Sequence, residues 1–269
     1  MSKIKALVKM NNKRNYEDPA LYCTYLSTML IVVVIVAIIM AKAVIGPYSR
    51  KSGVTSEQLG FCLQNIMLGF MAGTMGICYN VMLSVPLMKD KANGNIESML
   101  AASASVKDIW VSRTISLYIP ALLTTYAFTI VTSVILKSMY IKNGFTLELN
   151  GWFMATAYIA VPLVYLSLCF LVNLIGLCFA VEISNLIGNI FGPAFAIVSI
   201  NIAARKVLNP NSCALFIAVM VLAVILMVIC LCMMGALNKE KIVLSCKAQA
   251  AGAIRKMGGK PHGKRPAKK

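Results

Sequence analysis

Residues Leu21 to Ile45 read LYCTYLSTMLIVVVIVAIIMAKAVI, and this run decides the fold class. At 1.5 Å per residue, a helix of that length crosses the roughly 30 Å hydrocarbon layer of a bilayer. A cleaved signal peptide is the competing reading. The run exceeds the roughly 7 to 15 apolar residues of a signal and is followed by no small-residue cleavage pattern, so it is expected to stay and to span.

Five further apolar runs follow, at about 59–87, 109–136, 152–181, 186–204 and 213–237, each bounded by polar or turn-forming residues. They predict an all-α polytopic membrane protein with about six transmembrane helices over residues 21–237. Only Glu182, Ser184 and Asn185 separate the fourth run from the fifth. A tight turn at 182–185 gives six spans, and a continuous helix there gives five. The composition agrees, because 59% hydrophobic residues with only 8% aromatics exceed what a soluble core of this size needs. Nine cysteines without a CxxC pair signal neither a disulfide framework nor a zinc site.

The net charge of +17 would suggest nucleic acid in a soluble protein. Here the bases flank apolar runs, which suits anionic lipid headgroups and leaves nucleic acid out of the expected partners. With both termini in the cytoplasm, nineteen Lys and Arg lie inside and seven outside, namely Lys42, Arg50, Lys51, Lys137, Lys142, Arg205 and Lys206. That asymmetry sets the orientation. Residues 1–20 then form a basic cytoplasmic segment, 88–108 a cytoplasmic loop, and 238–269 a basic tail expected to be disordered. Thr55 with Gln58, and Ser105 with Asp108, have capping-box spacing and predict helix starts before the second and third spans.

Deep ionisable residues would mark a proton relay or ion-coupled carrier, since each costs roughly 2.5 to 3.5 kcal/mol on insertion scales. Lys42, Arg113 and Glu182 lie near span ends and are expected to snorkel to water. The single histidine, His262, is in the tail, so no metal or catalytic site is expected. Gly258, Gly263 and Lys264 have P-loop spacing, but Arg265 stands in place of the required Ser or Thr and Pro261 interrupts the motif. Gly69 with Gly73, and Gly188 with Gly192, permit close helix packing. Asn189, Pro193 and Asn201 mark the fifth helix as internal, and the uniformly apolar sixth is expected against lipid.

The most informative segment runs from Leu87 to Arg113, LMKDKANGNIESMLAASASVKDIWVSR. Ile96, Met99 and Leu100 share one face by helical spacing, with Glu97 and Ser98 pointing elsewhere. The segment reads either as a helix lying at the headgroups or as a docking helix for a cytoplasmic partner. It resembles the first cytoplasmic loop of type-2 ATP-binding-cassette (ABC) exporter permeases, with Asp90, Lys91, Gly94, Glu97, Ser98, Leu100 and Arg113 in corresponding places. The N-terminal stretch is similar to the family's basic amphipathic elbow, through Lys9, Lys13, Arg14, Asp18 and Pro19. Ala102 and Ser103 depart from the Pro often found after the family's docking helix, and the basic tail is longer than usual.

The resemblance implies a non-catalytic permease subunit in the cell membrane of a prokaryote. It would pair with itself or with a second permease subunit and carry separate ATPase subunits that hold ATP and Mg. It further implies coupling through Asp90, Lys91, Gly94, Glu97, Ser98, Met99 and Leu100, with the elbow as a second contact. An ion-coupled secondary transporter or channel is the rival reading, and a membrane-embedded enzyme comes third.

Overall fold

The computed structural model describes residues 3–15, 19–40, 42, 45–49, 55–101, 105–141, 150–178, 190, 209–235 and 242–244. Regular structure among them is entirely helical. The main elements are α1 (Lys3–Asn15), α2 (Pro19–Met40), α3 (Gly46–Ser49), α4 (Ser56–Ala92), α5 (Asn95–Ala101) and α6 (Val106–Ile141). They continue with α7 (Gly151–Ala155), a π turn (Thr156–Ala160), α8 (Val161–Cys178) and α9 (Cys213–Met234). Four stretches are long and apolar enough to cross a membrane: Ser56–Gly76, Val106–Ser138, Gly151–Cys178 and Cys213–Met234. A shorter apolar stretch, Met29–Ile39, lies in α2. The expected fifth span apart from Ile190, the turn at 182–185, the tail apart from 242–244, and Asp18, Gly188 and Gly192 lie outside the described residues.

Helix starts follow from side chains that serve the unpaired N–H groups of a first turn. Thr55 Oγ1 accepts from the Gln58 N–H at 3.3 Å where α4 begins, and Ser105 Oγ accepts from the Asp108 N–H at 3.0 Å where α6 begins. Asn150 does the same for α7 and Ser212 for α9. α4 extends through Pro86 to Ala92, five residues beyond the end expected at Leu87. With 36 residues, α6 is about 54 Å long, far more than the hydrocarbon layer requires.

α6 is the hub, packing against α1, α2, α4 and α8. Its face toward α4 and α8 meets the largest cluster, which joins Met71, Met75, Leu117, Val164, Tyr165, Leu168 and Ala223. A second cluster of Leu59, Leu63, Leu136 and Phe153 fills the opposite end, and α2 lays Met29 and Val33 on Ala121 and Phe128. Only 17% of the α9 span is buried inside the protein, against 72% for the α4 span. α9 is therefore the outermost of the four, which agrees with the lipid-facing place expected for the last helix. Gly69 and Gly73 are buried in α4, and the Tyr165 hydroxyl donates to the Ala72 carbonyl between them at 2.7 Å.

Pro162 has no N–H to offer the Tyr158 carbonyl four residues back. The Tyr126 hydroxyl of α6 donates to that oxygen at 2.7 Å, and the Tyr118 hydroxyl donates to the Pro162 carbonyl at 2.9 Å. Two phenols thus fasten α6 to the π turn and to the first turn of α8, where backbone at membrane depth needs partners from the protein itself. Hydrogen bonds between membrane helices contribute about 0.6 kcal/mol on average and at most about 1.7. Tyr126→Phe and Tyr165→Phe are each expected to lower unfolding stability in detergent by about 0.5 to 1.5 kcal/mol, with Leu123→Val at the lipid-facing surface as a neutral control. Phe variants as stable as the parent would mean that these hydroxyls fasten nothing.

Candidate functional site

The segment singled out by its sequence lies between the ends of α4 and α6. α4 ends at Ala92, and Asn93 and Gly94 make the turn into α5. Gly94 has φ 66°, a left-handed conformation in which a side chain is strained. Its carbonyl accepts from the Ser98 N–H at 3.1 Å and so opens α5.

Asp90 holds this corner together. Its Oδ2 lies 2.8 Å from Arg113 Nη1 of α6, and its Oδ1 accepts from Asn95 Nδ2, the first residue of α5, at 3.1 Å. One carboxylate therefore joins three helices. The Arg113 and Asp90 side chains are 4% and 7% exposed, so the attraction acts where water screens little. Nearby, Trp110 Nε1 donates to the Phe170 carbonyl at 3.0 Å, and the two rings meet at a tilt of 58° with centroids 4.9 Å apart. Asn173 Nδ2 donates to Thr114 Oγ1 at 3.1 Å. These bonds tie the first turns of α6 to α8. Asn11 of α1 reaches Ser112 Oγ with its amide at 3.5 Å.

This geometry corrects two expectations. Arg113 does not snorkel, because a buried carboxylate stands within reach and satisfies its charge inside the protein. The apolar face of α5 is not turned toward a partner either. Ile96 is 1% and Met99 5% exposed, and Ile96 packs with Trp110, Leu174, Leu177, Cys230 and Ile242, with Leu100 partly buried alongside. Asp90 and Met99 are thus internal. On the outer side lie Ser98 and Ala101, exposed, with Glu97 half-buried. Lys91 is the penultimate residue of α4, Arg14 lies in α1 and Pro19 opens α2, while Lys9 and Lys13 are exposed on α1.

Spacing alone gave no sign of the ion pair, whose members stand 23 positions apart. The available signal was chemical: with nine acids among twenty-six bases, an acid beside a span end is costly to bury without a base. Among the described residues no group of three or more His, Cys, Asp or Glu is placed to hold a metal. What the arrangement offers is mechanical, since a push on the outer side of α5 reaches both α4 and α6. No family model, curated protein or solved structure matches the chain.

Breaking a buried pair by removing one partner costs about 3–5 kcal/mol, because the other charge is left uncompensated. Arg113→Gln is expected to destabilise the protein by that order, and Asp90→Asn added to it to restore most of the loss. Equal stability of Arg113→Gln and the parent in detergent unfolding would show that the pair holds nothing.

Proposed function

We propose that the chain is the permease subunit of an ATP-driven ABC exporter in the cell membrane of a prokaryote. It has six spans with both ends in the cytoplasm and assembles with itself or a second permease subunit. Hydrolysis takes place on separate ATPase subunits that hold ATP and Mg, and the permease contributes the path and the lever.

One observation carries this reading: a short helix, α5, is clamped at the junction of two long apolar helices with a polar side left outward. Its inward residues, Ile96 and Met99, are buried and its outward ones, Ser98 and Ala101, are exposed. A helix attached through Asp90 to both α4 and α6 transmits displacement instead of absorbing it, as rigid packed elements do. The contact surface proposed for the ATPase is accordingly Glu97, Ser98 and Ala101. Gly94 and Leu100 act by holding that surface in place. Ion-coupled carriage is the second reading, favoured by the π turn and Pro162 within the Gly151–Cys178 span, because interrupted helices near mid-membrane build carrier sites.

The test uses the chain purified with its ATPase and reconstituted in proteoliposomes. Ser98→Arg together with Glu97→Lys is expected to lower transport-coupled ATP hydrolysis by roughly tenfold or more, as at an interface hot spot. Insertion and thermal stability should be unchanged, because both positions lie outside the packed cluster. Full coupling in that variant would remove α5 from the mechanism, and transport by the purified chain with no ATPase present would establish the carrier reading.

A further inference from the structure

The chain returns to the α5 joint after it has left its last long helix. α9 ends at Met234, with Gly235 as its cap. Beyond positions 236–241, Ile242 is 1% exposed and belongs to the cluster that holds Ile96 of α5, Trp110 of α6, Leu174 and Leu177 of α8 and Cys230 of α9. Residues 242–244 are helical, and burial falls off across them, with Val243 half-buried and Leu244 65% exposed. The chain thus enters the joint at Ile242 and is outside it again two residues later.

α5 is seven residues long, too short to persist in water without tertiary contacts. Two things keep it in place: the bond from Asn95 at its first residue to Asp90, and the burial of Ile96 and Met99 along it. The bond is a pivot at one end. The burial depends on a cluster with one member from outside the long helices, carried on a short helical turn that helix cooperativity does not sustain. Burying an isoleucine favours the seated position by roughly ten- to a hundred-fold, which leaves a withdrawn state within reach of local opening.

We propose that Ile242 is a latch on α5. Seated, it closes the cluster and holds the inward face of α5 against α6 and α8. Withdrawn, it lets α5 swing about its Asp90 pivot and brings Met99 to water. Residues 245–269 are joined directly to this turn, so a displacement of the segment that follows α9 reaches α5 without passing through the long helices. The proposal rests on the packing at α5 and not on the transport reading, so failure of ATP coupling leaves it standing.

The test follows the reaction of Met99→Cys with a water-soluble maleimide in an otherwise cysteine-free chain, in membranes opened on both sides. Leu117→Cys, in the cluster between α4, α6 and α8, is the control for global loosening. Truncation after Leu244 should leave position 99 as protected as in the full chain. Truncation after Lys241 removes the latch and should raise the rate there by roughly tenfold or more, and Ile242→Ala should raise it in the same direction, while position 117 stays slow in both. Ile242→Leu, which conserves volume, should keep position 99 protected. Equal rates at position 99 in the full chain and after truncation at Lys241 would overturn the proposal. So would an equal rise at position 117, which would make Ile242 a general stabiliser, or a rise on truncation after Leu244, which would place the hold on α5 further along the chain.

Discussion

Hydrocarbon supplies no hydrogen bonds, so a polar group carried into the membrane-spanning part of this protein is served by the protein or not at all. Helices answer that demand for the backbone. Hydroxyls and amides answer it at the places where helices are interrupted or meet. Tyr126 serves the carbonyl that Pro162 leaves open, Tyr165 reaches the backbone of α4 at Ala72, and Ser167 reaches Ala223 of α9 at 3.0 Å. Each bond joins two helices, so the same requirement that satisfies the groups also sets which helices are neighbours. α6 is central because it supplies two of the phenols and the arginine.

At the end of α6 the requirement concerns charge, and the answer is Asp90. A carboxylate shared between Arg113 and Asn95 ties α4, α5 and the start of α6 together at one point. The inward face of α5 follows from it: once Asn95 is held beside Asp90, the helical period carries Ile96 and Met99 onto Trp110 and α8. The short helix is joined to two long apolar helices, and Ser98 and Ala101 are left exposed on its outer side.

Much of the architecture was legible in the sequence because it depends on quantities a sequence states directly. Span length, the aliphatic composition and the two capping pairs at Thr55 and Ser105 are local, and the structure begins α4 and α6 directly after those residues. Less legible was everything that depends on which helix meets which. The amphipathic pattern of Ile96, Met99 and Leu100 announced a buried face but not its partner, and the same pattern serves an outward docking helix or an inward packed one. Arg113 looked like a residue free to reach water because its distance from the span end was visible and its carboxylate neighbour was not. The π turn at 156–160 was marked only by Pro162, which is equally common in plain kinks.

The claim on which this account turns is that α5 faces inward, and site-by-site thiol reactivity tests it most directly. In a cysteine-free version of the chain, single cysteines at Ile96, Ser98, Met99 and Ala101 are exposed to a water-soluble maleimide in membranes opened on both sides. The account predicts fast reaction at Ser98 and Ala101 and slow reaction at Ile96 and Met99, the protected pair recovering reactivity when Arg113→Gln loosens the clamp. Equal rates at all four positions, or faster labelling at Met99 than at Ser98, would contradict it.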